Sequence, residues 1–367
     1  METLFLSGFG VSLKIKNSSL VITDGKNNFE GPKRTIEITK HANFDKIVID
    51  GEGWISFGAL KWLTDWDIQV IMIDTKGRLY AHFNQFNGIN AEPNLRQKQY
   101  DCFRDEKKVE YLRKWIVSEK IRSQTQTLLS LNDSNVESVE RLQRYLIELE
   151  DAHKLTEISP IESTAANVYY QVFCKAFNPK FGFTTRQNPM TQRADRATDI
   201  INLLLNYGYS ILQSTVGKYL NGWGLDCYYG FYHRHNTTRS SLTWDMMDPY
   251  RYLVDRSVLE FQRQIKNDDY YVRRTKAPYP FQKAGTQVLL YATSDVKKRY
   301  VHTLSDILQR KVKYKSYRGR SAGKELDEAG TGYQKMRNST IIKMGTLKLR
   351  NYILNGDRKV MLTPIAR

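Results

Sequence analysis

An α+β architecture is expected from the sequence, with a small N-terminal β-rich domain followed by a larger all-α domain. Three observations predict it. Short runs rich in Val, Ile, Leu and Phe, punctuated by Gly, Asn and Ser, fill about the first 90 residues. From about residue 105 the apolar residues recur at three-and-four spacing among many charges, which is the helical period. The chain has 367 residues and is 41% hydrophobic, enough for roughly two domains with cores of their own.

Taken in order, "TLFLSGFGVSLKIKNSSLVITDG" reads as short strands broken by Gly and turned at "KNSS", a hairpin signature. "FDKIVIDG" is a further strand. "ISFGALKWLTDWDI" has the spacing of a short amphipathic helix with Ile55, Ala59 and Trp62 on one side. "QVIMID" reads as a buried strand, "TKG" as a turn and "RLYAHF" as another strand. "NGINAEPNLRQKQYD" is polar and carries Gly and Pro, so a linker is expected there. "EKKVEYLRKWIVSEKIRSQTQTLLSL", "SVERLQRYLIELEDAHKL" and "ESTAANVYYQVFCKAF" follow as helices. "ATDIINLLLNYGYSILQSTVGKYL" reads as a long, buried helix pair. "RKVKYKSYRGRSAGKELDEAGTGYQ" mixes Lys, Arg, Tyr and Gly and reads as a mobile arm, either a solvated loop or a DNA-contacting segment. "STIIKMGTLKLRNYIL" has helical spacing but is short, and is no clear helix-turn-helix. The expected division is 1–90 for the β-rich domain, 91–104 for a linker, 105–335 for the helical domain and 336–367 for a C-terminal helical tail. No internal repeat is evident.

The formal net charge is +17. So large an excess implies a polyanionic partner, with nucleic acid favoured over a membrane surface. No stretch approaches 18 apolar residues, so no membrane span is expected. The N-terminus lacks the basic region and cleavage-like site of a secretory signal. Cys102, Cys174 and Cys227 are odd in number, widely separated and without zinc spacing. They suit a reducing, cytoplasmic setting.

The stretch "GFYHRHNTTRSSLTWDMMDPYR", residues 230–251, places two of the six histidines before a pair of aspartates. Histidine beside carboxylate serves metal binding or general acid–base work. Each residue also has a plainer role. His233 ends the apolar run "GLDCYYGFY" and reads equally as a core or turn residue, while His235 faces a polar loop. Asp245 and Asp248 share a face if their segment is helical, and Asp245 alone reads as a cap. Glu162, before Ala165, Ala166, Tyr169, Tyr170 and Phe173, alone reads as a helix N-terminal residue favoured by the dipole. Two carboxylates with one imidazole suit Mg²⁺ or Mn²⁺, and beside a +17 chain the matching chemistry is phosphodiester transfer. Spacing alone does not bring residues 162, 233 and 248 together.

The order of these signals resembles the CRISPR-associated integrase family. That family carries a Glu before small residues and an aromatic, here "ESTAANVYY". An Arg-Pro stretch follows, then Asp-x-x-Asn and a leucine run ending in Tyr-Gly-Tyr, here "TTRQNP" and "DIINLLLNYGYSIL". Next come Gly-Leu-Asp, Gly-Phe-x-His, Ser-Leu and an acid pair before Pro-aromatic-Arg, here "GLD", "GFYH" and "SLTWDMMDPYR". "IDGEGWISFGALKWLTDWDIQVIMIDTKGRL" is similar to the family's strand-helix-strand stretch. The similarity covers most of residues 1–265 and thins out afterwards.

The resemblance implies a metal-dependent DNA integrase and endonuclease that inserts spacer DNA into a CRISPR array. A 3′-hydroxyl would attack a phosphodiester with Mg²⁺ or Mn²⁺ as cofactor. It implies Glu162, His233 and Asp248 as metal ligands, with Asp245 a supporting catalytic residue. The family often has Glu where this chain has Asp248, one methylene shorter. Arg186, Arg193, Arg239, Arg251, Lys311, Lys313 and Lys315 are the candidate DNA contacts, although Arg251 equally suits pairing with an acid. The implied assembly is a homodimer joined through the β-rich domain, which also touches DNA, bridged by the small CRISPR-associated protein two. The substrates are donor fragment and repeat target, as duplex or branched DNA. Two alternatives stay open: a transposon-encoded, casposon-type integrase with the same chemistry, and a non-catalytic DNA-binding scaffold.

Overall fold

The structure, a computed structural model, describes residues 2–26, 34–75, 77–83, 94–131, 135–186, 197–233, 240–276, 286–316, 325–326 and 332–356. The chain divides into two compact units. One comprises Met1–Phe86, Phe177–Ser214 and Ser257–Asp306; the other comprises Asn87–Ala176, Thr215–Arg256 and Ile307–Arg367.

The expected N-terminal β-rich region is a six-stranded sheet. Its strands are β1 (Glu2–Lys16), β2 (Ser19–Thr23), β3 (Thr35–Ile38), β4 (Phe44–Ile55), β5 (Gln69–Ile73) and β6 (Leu79–Phe83), in spatial order β3-β2-β1-β4-β5-β6. The glycines do not break β1 into short strands. Gly8 and Gly10 take positive φ, at 85° and 79°, and the pairing with β4 shifts register between Phe9 and Val11, so the extra residue is absorbed as a bulge. "KNSS" turns as expected: Asn17 and Ser18 both have positive φ, the geometry a two-residue hairpin loop requires. β1 pairs with β4 and β4 with β5 in parallel; the other neighbours are antiparallel. The β4–β5 crossover is helix α1 (Phe57–Asp65), capped by Ser56 Oγ accepting from Ala59 N at 3.2 Å. Ala59 and Leu63 are its buried residues, whereas Ile55 ends β4. They join Leu13, Leu20, Ile22, Ile47 and Val70 in one core. Each Leu, Ile or Val side chain among them, fully withdrawn from water, contributes about 1.5–3 kcal/mol.

The helical part follows. The helices are α2 (Leu95–Arg104), α3 (Glu106–Leu131), α4 (Val136–Asp151), α5 (Leu155–Phe173) and α6 (Ile200–Gly222). After them come α7 (Ser241–Met247), a 3₁₀ turn at Asp248–Tyr250, and α8 (Arg251–Phe261). The segment expected as a linker holds α2, whose buried Gln99 donates to the carbonyls of Asp226 and Tyr229 and accepts from Asp226 N. The expected helix pair over 197–220 is one helix, because each interior glycine, Gly208 and Gly217, costs only about 1 kcal/mol in a helix and Tyr207 and Tyr209 beside the first are buried. Helix α5 starts earlier than the sequence suggests and runs through Pro160. Its N-terminal acid is Glu157, which accepts from the backbone N–H of His153 and Lys154. Glu162 therefore lies inside the helix.

Strands also occur beyond residue 265. β7 (Tyr270–Lys276) and β8 (Thr286–Ala292) form an antiparallel pair. After α9 (Ser294–Gln309) come β9 (Lys311–Ser316), β10 (Glu325–Leu326) and β11 (Gly332–Arg337), in the order β10-β11-β9, and then α10 (Asn338–Asn355). The described parts of the basic segment are thus paired strands rather than an arm without regular structure. Among the described residues no helix is long and apolar enough to cross a membrane.

A buried polar network ties the first unit together. Asp50 on β4 accepts from Lys297 Nζ at 2.6 Å and from Tyr207 OH at 2.5 Å, and the Lys297 ammonium stands 5.3 Å from the Tyr207 ring centroid. Burial, and then the Asp50 carboxylate, push the Tyr207 phenol well above its ordinary pKa. Asp50→Ala strands a buried ammonium and is expected to lower the unfolding free energy by about 3–5 kcal/mol, measured in urea. Asp50→Leu with Lys297→Met should lose less, because neither charge then remains buried.

Candidate metal centre

Helix α7 and the segment before residue 234 build one wall of the site. Asp245 is fully buried. Its Oδ2 accepts from the backbone N–H of Phe231 at 2.7 Å and Tyr232 at 3.0 Å. Its Oδ1 accepts from His233 N at 3.0 Å and meets His233 Nδ1 at 2.7 Å. This close wrap depends on Gly230: a Cβ there would lie 2.7 Å from Asp245 Oδ2 and 2.9 Å from the Ser241 carbonyl carbon. Arg113 on α3 holds the same turn, its Nε donating to Phe231 O at 3.1 Å. With Nδ1 committed to Asp245, Nε2 is the nitrogen that His233 can offer an ion.

The second wall is α5. Tyr169 OH donates to Asp255 Oδ2 on α8 at 2.8 Å, which fixes α5 against α8 and sets Glu162 one helix away from Asp248. Pro249, lacking an N–H, replaces the last α-turn with the 3₁₀ turn that carries Asp248. Asp248 Oδ1 accepts from Arg251 Nε at 2.5 Å, and Oδ2 accepts from Lys120 Nζ at 3.2 Å. Lys120, on α3, also contacts Glu162 Oε1. Two carboxylates from different helices therefore close on one positive charge.

The electrostatics agree. Burial pushes the Asp248 carboxyl up, but the Lys120 and Arg251 cations outweigh it and hold Asp248 far below the usual carboxylate range. Burial pushes the Lys120 ammonium down, yet Asp248 and Glu162 leave it net above its ordinary value. For His233, the Asp245 hydrogen bond and the Asp248 charge outweigh burial and raise the ring's pKa. Among the described residues no three His, Cys, Asp or Glu side chains stand placed around a single ion; Lys120 Nζ occupies the point that the two carboxylates share. Two hard oxygens already gathered about a cation fit a hard divalent ion, and the His233 ring is near enough to Asp248 to feel its charge.

Glu162, His233, Asp245 and Asp248 are thus assembled in one unit, with Arg251 paired to Asp248 rather than free for phosphate. Arg186 belongs to the other unit. Its guanidinium donates to Asn202 and Asn206 on α6, both at 2.8 Å, and lies 5.3 Å from the Tyr209 ring centroid. Lys311 and Lys313 are exposed on β9. Arg193, His235 and Arg239, and the side chain of Lys315, lie outside the described residues. Sequence reasoning missed Lys120. Its signal was a lysine four residues after Ile116 and three after Val117, both buried, which places it on the inward face of α3.

The family model described as CRISPR associated protein Cas1 matches residues 4–294. The chain belongs to the Cas1 family. "CRISPR-associated protein Cas1 3" of Methanobrevibacter ruminantium is 31% identical over 283 residues, covering 72% of this chain and 80% of that protein. "CRISPR-associated endonuclease Cas1 1" of Archaeoglobus fulgidus is 29% identical over 286 residues, with the same coverages of 72% and 80%. Two solved structures share the fold. A casposase bound to integration product superposes with a TM-score of 0.80 at 24% identity, over 98% of this chain and 93% of that one. A chain of a Cas6-RT-Cas1–Cas2 complex superposes with a TM-score of 0.71 at 21% identity, over 98% of this chain and 36% of that one. Membership of the Cas1 family gives this chain a DNA endonuclease and integrase function.

Proposed function

We propose that this Cas1-family protein inserts donor DNA into a CRISPR array by transesterification at the centre formed by Glu162, His233 and Asp248. The observation that carries the proposal is the convergence of Glu162 and Asp248 on a single cation. Those two carboxylates and His233 Nε2 would hold Mg²⁺ or Mn²⁺, with Lys120 Nζ giving way. When bound, the ion supplies Lewis-acid polarisation of the scissile phosphodiester and stabilises the departing 3′-oxygen. The chain's own groups do the positioning. Arg251 fixes Asp248 through Oδ1, so that Oδ2 faces the site. Asp245 fixes the His233 ring and its tautomer. One phosphodiester is broken and one formed, so the step needs no ATP.

The β-rich domain, residues 1–90, is inferred to carry the homodimer contact and part of the DNA surface; Phe57 there is 90% exposed. The likeness to a chain of a complex that also contains Cas2 supports CRISPR-associated protein two as the bridging partner. Free, buried cysteines at 102, 174 and 227 fit a cytoplasmic setting. The family model and the curated relatives are CRISPR-associated proteins, so the CRISPR reading is preferred to the transposon-borne one.

The test is strand transfer into supercoiled DNA with Mn²⁺ or Mg²⁺. Products joined at donor 3′ ends, abolished by chelator, are expected. Nicking without joining would leave an endonuclease only.

A further inference from the structure

Strands β9 and β11 set like charges against each other. In this antiparallel pair Lys311 lies opposite Arg337 and Lys313 opposite Lys335. Directly opposed residues share a face of the sheet, and alternate residues on each strand return to it. The four cations therefore stand together on one face. All four are exposed, while Val312 and Met336, on the other face, are half-buried. Like charges placed directly opposite each other weaken strand pairing.

The base of the ribbon is fixed. Asn338, at the foot of β11, is buried. Its Nδ2 donates to Ile307 O at 2.7 Å and its backbone N–H to Arg310 O at 3.2 Å. Lys311 and Arg337 adjoin that anchor, and Lys313 and Lys335 lie two residues beyond it. The cations recur about every 6.7 Å along each strand, in two rows about 5 Å apart. A rigid patch of this kind suits a polyanion whose charges are closely and regularly spaced. Duplex DNA, with one charge per about 1.7 Å of axis, supplies them. A net charge of +17 favours the same partner.

We propose that the face of β9 and β11 bearing Lys311, Lys313, Lys335 and Arg337 binds the phosphate backbone of duplex DNA. None of the four belongs to the metal centre, and contacts of this kind position the duplex without reading its sequence. The proposal rests on the DNA-integration reading above and adds Lys335 and Arg337 to its contacts.

The experiment measures affinity of the full chain for a labelled duplex by fluorescence anisotropy, between about 50 and 200 mM salt. The joint variant Lys311→Gln, Lys313→Gln, Lys335→Gln, Arg337→Gln is compared with the parent. Four lost phosphate contacts should make the slope of log K against log salt shallower by about 3.6, with thermal unfolding no earlier than the parent's. A slope within about 1 of the parent's overturns the proposal and assigns the face to another anionic occupant. Lys313→Glu covers the case in which the joint variant folds poorly, since it creates a favourable cross-strand pair with Lys335. It should stay folded, as thermal unfolding reads directly, and bind DNA more weakly. Unchanged affinity in Lys313→Glu overturns the proposal as well. Single-stranded DNA outcompeting duplex on the parent but not on the joint variant overturns the duplex assignment. A parent whose DNA binding is itself insensitive to salt is a failure of the DNA reading, separate from that of this face.

Discussion

Glu162→Ala is expected to lower strand transfer by about 10³-fold or more while leaving DNA affinity within about twofold of the parent. A loss of that size corresponds to about 4 kcal/mol of transition-state stabilisation, in the range a bound divalent ion supplies to a phosphoryl centre. The variant removes one of the two carboxylates that share Lys120, so Asp248 and His233 alone cannot gather the ion. Single-turnover strand transfer with Mn²⁺ gives the rate, and anisotropy gives the affinity. Lys120→Met gives the complementary result. With the ammonium gone, Glu162 loses its counter-charge and Asp248 keeps only Arg251, so thermal stability should fall without metal and rise more than the parent's when Mn²⁺ is added. A rate loss below tenfold in Glu162→Ala would place the ion elsewhere.

Asp245→Asn is expected to lower the unfolding free energy by about 3 kcal/mol or more. Each oxygen of Asp245 faces two N–H groups, those of His233 on one side and of Phe231 and Tyr232 on the other. An asparagine amide, whichever way it is turned, sets its NH₂ against a pair of donors. Two hydrogen bonds to a charged acceptor are then lost, each worth about 1.5–3 kcal/mol. The His233 ring also loses the partner that orients it, which should weaken Mn²⁺ binding by about 10–100-fold. Urea unfolding and Mn²⁺ titration read the two effects separately. A variant within about 1 kcal/mol of the parent would show that the turn at 231–233 holds without this carboxylate.

The sequence and the structure part company where long-range geometry decides. Helix α3 was legible end to end, because an uninterrupted three-and-four pattern over Glu106–Leu131 admits no other element. The hairpin at Asn17–Ser18 was legible from its turn residues. The long parallel pairing of β1 with β4 was not, since parallel register leaves no local mark. Glu162 was recognised, but its place inside α5 was hidden by Pro160, which locally reads as a stop. Lys120 looked like one of many charges on α3, and only the arrival of two acids from α5 and the turn after α7 sets it apart. The lysines of "RKVKYKS" alternate visibly, yet their opposition to Lys335 and Arg337 exists only once β11 has paired.

The discontinuous make-up of the first unit bears on how the chain is synthesised. A domain contiguous in sequence can close as it leaves the ribosome, N-terminal part first. Here the N-terminal sheet emerges early, but Asp50 meets Tyr207 only after 157 further residues and Lys297 only after 247. Loop-closure entropy must be met before such distant contacts form, which slows folding. Until those residues emerge, Asp50 on β4 lacks its buried partners. The core of the N-terminal sheet, drawn from residues 4–72, can thus close early, whereas the buried ion pair that ties it to the rest of the first unit is a late contact.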